Sequence, residues 1–362
     1  MKSFNRLPLP LWSLAIPPAA CALLAALWGG ELAGLLLALT GATLVASVLV
    51  AVFHAEIIAH RLGEPFGTLV LAMAVTIIEV SLIVSMMLSN GPGVDALARD
   101  TVFATVMIIC NGVIGVCLLT GAIRHHTIAF RVDGSSSALS VLVALIVLTL
   151  VLPEFTTTTP GPTYSPSQLA FAGLSSLLLY GVFVFVQTVR HRDQFLPINL
   201  PGTDEEHPHP SAMQAGLAVI LLFIALIAVV GLAKLLAPTI QSGVAAIGAP
   251  PSVVGIAIAL MVLLPETVAA MRAAANNRMQ TSLNLALGSA LATIGLSIPA
   301  VAVAAHLLDI PLTLGLPPKE IVLLMVTLLI SAITLAGGHA TVLHGAVHLV
   351  LFVAFIHLSI VP

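Results

Sequence analysis

The sequence predicts an all-α integral membrane protein of about eleven transmembrane helices, and three observations carry that prediction. Hydrophobic residues make up 59% of the 362 positions and charged residues only 7%. A soluble domain carries roughly 25% charge, so water cannot be the solvent for most of this surface. Apolar runs near the roughly 20 residues that cross a bilayer as a helix recur along the whole chain. The runs are continuous and rich in Ala, Leu, Val and Ile, whereas the strands of a membrane barrel alternate apolar and polar residues over about ten positions. In lipid a helix satisfies its backbone polar groups within itself.

The first run, 11–28, follows Lys2 and Arg6, and Pro17-Pro18 interrupts its apolar core, which argues for a retained first helix rather than a cleaved leader. Gly29-Gly30 separates it from 33–58, and Gly63-Glu64-Pro65 separates that run from 66–89. Asn90-Gly91-Pro92-Gly93 precedes 101–121, and Gly134 marks a break before a short run at 138–152. Pro160-Gly161-Pro162 leads into 168–188, and a polar segment then runs to 213–236. Pro250-Pro251 opens 252–271, which is followed by 282–305. Pro317-Pro318 opens 319–335, and Gly337-Gly338 precedes 341–360. With the N-terminus in the cytoplasm, nine of the twelve Lys and Arg fall in cytoplasmic loops; Arg99, Lys234 and Lys319 are the exceptions. That bias sets the expected orientation in a bacterial cytoplasmic membrane.

Five spans precede the polar segment and five follow it once the first helix is set aside. An odd number per half forces the halves into opposite orientations, the inverted-repeat plan of many secondary transporters. The expected division is 1–32 for the N-terminal helix, 33–188 for the first five-helix repeat, 189–211 for an acidic, His-rich cytoplasmic linker, and 212–362 for the second repeat. The second span of each half carries one glutamate among apolar residues, Glu79 and Glu266, 187 positions apart. The next span of each half carries a small polar cluster, Cys110-Asn111-Gly112 and Gly288-Ser289-Ala290.

A carboxylate in the hydrocarbon layer costs about 3 kcal/mol or more, so it faces a partner or a water-filled path. Two facing carboxylates offer hard oxygens suited to Ca²⁺ or Na⁺ rather than soft metals, and they titrate as one coupled unit. Two protons or one divalent cation can neutralise the pair, but not both together. A site offered to each face in turn then exchanges one for the other. Glu79 and Glu266 are therefore the expected cation, proton and metal ligands. Thr76 shares a face with Glu79, and Pro265 has no N–H for the carbonyl of Met261. Asn111 and Ser289 can add neutral oxygens; for each of these polar residues the alternative is hydrogen bonding between helices. His54, Glu56 and His60 form a possible proton path, or an interfacial cluster. His344 and His348 share a face of the last span, with packing or proton relay preferred over metal binding. The three cysteines, Cys21, Cys110 and Cys117, lie in apolar runs and imply no disulfide framework. No enzyme motif is present and no basic run suits nucleic acid, and neither a cofactor nor an oligomeric state is indicated.

At these residues the chain resembles the cation/Ca²⁺ exchanger superfamily, specifically its Ca²⁺/H⁺ exchangers and the bacterial ChaA-type antiporters. Arg61-Leu62-Gly63-Glu64-Pro65-Phe66-Gly67 leading to Glu79 is similar to a first α-repeat. Leu263-Leu264-Pro265-Glu266 through Asn277 to Gly288-Ser289-Ala290 and Ile298-Pro299 is similar to a second. The resemblance implies Ca²⁺/H⁺ antiport by alternating access, with Glu79 and Glu266 in the ion and proton roles. Ca²⁺/H⁺ exchangers typically carry Gly-Asn-Ala before the glutamate, whereas this chain has Thr76-Ile77-Ile78 and Leu263-Leu264-Pro265. Na⁺(K⁺)/H⁺ exchange on the same site is thus the alternative, and a passive cation channel a further one. The expected partners are inorganic cations, protons and membrane lipid.

Overall fold

The computed structural model describes residues 9–30, 34–63, 66–88, 93–196, 210–246 and 248–361. Among them are nine continuous helices long and apolar enough to cross a membrane, one further span broken in two, and a shorter apolar helix. In chain order these are α1 (Leu11–Leu27), α2 (Gly34–Leu62), α3 (Phe66–Met87) and α4 (Leu97–His125). Then come α5 (Val132–Glu154), α6 (Pro166–Arg190) and α7 (Ala212–Ala246). The broken span α8 comprises Ser252–Val262 and Leu264–Ala275, bent by 55°. It is followed by α9 (Met279–Leu308), α10 (Pro318–Ala336) and α11 (Val342–Ile360). The protein is a multi-pass, all-helical membrane protein with the expected layout of one helix and two sets of five.

Three boundaries differ from expectation. Gly134 does not break the chain; it lies in the first turn of α5, where a Cβ would collide with the carbonyl of Gln194. Its missing side chain serves close packing, so α5 is a full-length span rather than a short one. Helix α7 runs through Pro238 to Ala246, beyond the expected end at 236. The eighth span, expected as one run, breaks at Leu263, ahead of Pro265. Lys2, Arg6, Glu64 and residues 197–209 of the acidic linker lie outside the described residues.

Loops fall at alternating ends, as the span count requires. At one end, β1 (Ile128–Ala129) pairs antiparallel with β2 (His339–Ala340), tying the α4–α5 turn to the α10–α11 turn. At the other, the loop before α10 is stitched down. The Thr313 N–H and hydroxyl donate to the Asp95 carbonyl at 2.9 Å and carboxylate at 2.8 Å. The Gly315 and Leu316 N–H groups donate to Pro162 and Leu150 carbonyls at 3.0 and 2.9 Å.

The interior divides into two apolar cores. One joins α1, α2, α3 and α7 to residues Val254, Ile258 and Val262 of α8. The other joins α4, α5, α6, α9, α10 and α11 to Ile256, Ala259, Leu263 and Ala270 of α8. Helix α3 contributes Val75, Ile78 and Leu82 to the first core, while its Leu69 and Ala72 pack against the second. So α3 and α8, which carry the two glutamates, run along the seam.

Small residues set how close the helices come. A Cβ on Gly345 of α11 would lie 2.7 Å from the Leu119 nitrogen and 2.9 Å from the Gly115 oxygen of α4. Both are backbone atoms that cannot swing aside. Gly345→Val is expected to cost about 1–3 kcal/mol, read as a lower thermal midpoint in detergent, while Gly181→Ala, which meets nothing within 4 Å, leaves it unchanged.

Candidate cation and proton site

Glu79 is buried in the middle of α3. The Ser297 hydroxyl of α9 donates to its Oε2 at 2.5 Å, and Thr293, one turn earlier, is near enough for its hydroxyl to act on the same carboxyl. Both belong to a π-helical turn, Thr293–Ser297, of the kind often found at functional sites. Its origin is local, because Pro299 offers no N–H to the carbonyl of Gly295. Gly295 is required for the fit, since a Cβ there would approach the Tyr180 Cβ to 2.6 Å.

Glu266 sits in the first turn of the second piece of α8, directly after the bend. Its own N–H turns toward the carboxyl, and the positive end of the half-helix favours negative charge there. Its Oε2 is shielded from solvent and has no hydrogen-bond partner among the described residues. The charges of Glu56 and Glu79 both act on it. Glu266 thus lies within electrostatic reach of both Glu79, its counterpart in the other half, and Glu56 on the exposed side of α2. No group of three or more His, Cys, Asp or Glu among the described residues is arranged as a metal cage. A cation held here would draw on carboxylates together with hydroxyls, carbonyls and water.

The other expected residues separate into those near the pair and those turned elsewhere. Thr76 is buried one turn before Glu79. Ser289 is half-buried on α9, and Ser289, Thr293 and Ser297 follow at four-residue spacing. Met261 lies in the last turn of the first piece of α8, where Pro265 offers its carbonyl no N–H. Asn111 is fully buried but faces α10 and α11, with its amide 2.8 Å from the Thr327 hydroxyl. His54 turns its Nε2 to the Ser13 carbonyl at 3.0 Å, docking α2 on α1, and His60 is exposed at the end of α2. Of the possible proton path, Glu56 is the member whose charge reaches the pair. His344 caps α11 by accepting the Thr341 N–H at 3.2 Å, while His348 is fully buried against the Thr334 hydroxyl of α10 at 3.1 Å.

Sequence reasoning missed Ser297 and Thr293, which meet Glu79 where Ser289 was expected. A signal was there: hydroxyls at two and six residues before a helix-interior proline, whose missing N–H widens the turn that holds them.

The family of the sodium/calcium exchanger protein matches residues 32–189 and 217–361. The chain belongs to the sodium/calcium exchanger family. Protein y4hA of Sinorhizobium fredii (strain NBRC 101917 / NGR234) is 47% identical over 360 residues, covering 98% of the exchanger and 97% of y4hA. The sodium-potassium/proton antiporter ChaA of Escherichia coli (strain K12) is 35% identical over 353 residues, covering 95% and 94%. The solved structure of native YfkE superimposes with a TM-score of 0.74 at 18% identity, covering 97% of the exchanger and 99% of YfkE. The shared fold is that of the cation exchangers, and the exchanger is an ion-transporting antiporter of this superfamily, of the ChaA type.

Proposed function

We propose that this antiporter exchanges Ca²⁺ for H⁺ by alternating access, with Glu79 and Glu266 as the competing cation and proton ligands. The observation that carries the reading is that two carboxylates, one from each half, sit on the helices that run along the seam between two separately packed cores, with the charge of Glu79 acting on Glu266. One Ca²⁺ or two protons neutralises the pair, and only a neutralised pair crosses the hydrocarbon layer cheaply. Ser297 and Thr293 furnish neutral oxygens on the Glu79 side, and the bent α8 supplies carbonyl ends and a half-helix N-terminus on the other. Glu56 is the proposed exit for protons or cations toward one face. YfkE, described as a Ca²⁺/H⁺ antiporter, shares the fold.

Na⁺(K⁺)/H⁺ exchange on the same pair is the second reading. It is favoured by the relation to the sodium-potassium/proton antiporter ChaA over nearly the whole chain, and by the absence of side-chain amides at 76–78 and 263–265. The division into 1–32, 33–188, 189–211 and 212–362, a bacterial inner-membrane location and a cytoplasmic N-terminus belong to the same proposal. The test reconstitutes the purified chain into proteoliposomes carrying an internal pH dye and adds one cation at a time. Ca²⁺-driven proton movement is the expected result. A response to Na⁺ or K⁺ alone selects the second reading, and cation flux indifferent to a pH gradient overturns antiport.

A further inference from the structure

Two π-helical turns occupy related places in the two halves. The offset of 187 between Glu79 and Glu266 carries Ile108–Val113 of α4 onto 295–300, which overlaps Thr293–Ser297 of α9. Packing is reciprocal, with the turn of α9 against α3 and the turn of α4 against the second piece of α8. The α9 turn meets its glutamate, Glu79, through Ser297. The polar side chain of the α4 turn is Asn111, and it bonds toward α10 and α11 rather than Glu266, whose buried Oε2 has no hydrogen-bond partner among the described residues.

What holds Asn111 away is a chain of buried polar groups. Its Nδ2 donates to the Thr327 hydroxyl at 2.8 Å, and that hydroxyl donates to the Leu323 carbonyl at 2.8 Å. His348 Nδ1 lies 3.4 Å from Asn111 Oδ1, while Nε2 lies 3.1 Å from the Thr334 hydroxyl. One assignment satisfies both contacts: a ring protonated at Nδ1 donates to Asn111 Oδ1 and accepts at Nε2 from Thr334. His348 is fully buried. Its helix is pressed onto α4 at Gly115, where a Cβ would approach the His348 Cβ to 3.1 Å. The ring is therefore fixed where it stands, and rotation of the Asn111 side chain is the change that would break the contact.

We propose that His348 is a positioning residue that parks Asn111, and that release of Asn111 toward Glu266 completes the second side of the cation site. The inference rests on the carboxylate-pair reading above and adds a switchable neutral ligand to it. A hydrogen-bonding oxygen or amide gained by a buried carboxylate–cation pair is worth about tenfold in affinity. The parked state holds that contribution back, and the released state supplies it.

The test uses the purified full chain in proteoliposomes, with proton movement followed against Ca²⁺ and, separately, Na⁺ concentration. His348→Ala is expected to lower the half-saturating cation concentration about tenfold, and Asn111→Ala to raise it by a similar factor. The double variant should match Asn111→Ala, because the ring acts only through the amide. His348→Gln, which keeps a donor, should stay near the parent. A merely structural His348 would instead lower the maximal rate without moving the half-saturating concentration. That outcome overturns the proposal, as does an equal shift in the Asn111→Ala background. Should His348→Ala fail to elute as a single species, Thr327→Val removes the other parking contact and should shift the same parameter downward; no shift there overturns the proposal. Glu266→Gln is run alongside. Retained exchange in it defeats the site itself, whereas lost exchange with an unmoved His348→Ala curve defeats the parking role alone.

Discussion

Glu79→Gln and Glu266→Gln are each expected to reduce cation-driven proton movement by about a hundredfold or more while leaving the protein folded. The glutamine has the shape of the glutamate and keeps a hydrogen-bonding oxygen for Ser297, but it can neither carry a proton nor neutralise a cation. Losing one unit charge about 4 Å from a cation at an effective dielectric near 20 removes about 4 kcal/mol of attraction, more than enough for such a loss. Stability should hold or rise, because Glu266 feels the like charges of Glu56 and Glu79 and a neutral amide does not. The check pairs a proteoliposome flux assay with a thermal melt in detergent. Full exchange in either variant, for every cation offered, would remove the assigned site.

The second large effect is expected at the opposite end from the strand ribbon. Arg99 donates through Nε to Asp100 Oδ1 at 2.8 Å, and its Nη2 lies 2.8 Å from the same oxygen. A third donor, Nη1, reaches the Gly315 carbonyl at 3.1 Å. The two side chains are only 13% and 6% exposed, so this is a buried pair. Glu320 lies close enough for its charge to act on both. Arg99→Ala strands Asp100 beside another carboxylate and unpins the loop at Gly315. Breaking a buried pair from one side costs about 3–5 kcal/mol, so a large drop in thermal midpoint is expected. Arg99→Lys keeps the charge but not the three-pronged geometry and should recover part of it. An unchanged midpoint in Arg99→Ala would mean that the pair is bathed in water.

Much of the fold was legible because lipid reduces the reading to one variable. Leu, Val and Ala runs mark the spans, and Pro160-Gly161-Pro162 and Gly337-Gly338 mark where the chain leaves the bilayer. Gly134 misled because glycine has two uses, and sequence does not tell a turn from a close approach; the Gln194 carbonyl decides it. Glu79 and Glu266 were legible as rare charges in apolar runs. Asn111 was legible as a polar group in an apolar run, but which neighbour it faces depends on α10 and α11, more than two hundred positions later. Ser297 was hidden by the opposite effect: it looks like one more tolerated serine until the proline after it is counted as a lost donor.

The ribbon joining Ile128–Ala129 to His339–Ala340 has a consequence for biogenesis. Its strands belong to turns made at very different times during synthesis, so this corner cannot close until the final hairpin of helices has been inserted. Until then the first half waits in the bilayer with the polar flank of α4 uncovered, and α11 arrives last to seal it. Chains truncated before β2 should therefore reach the membrane yet be recognised there as unfinished and degraded.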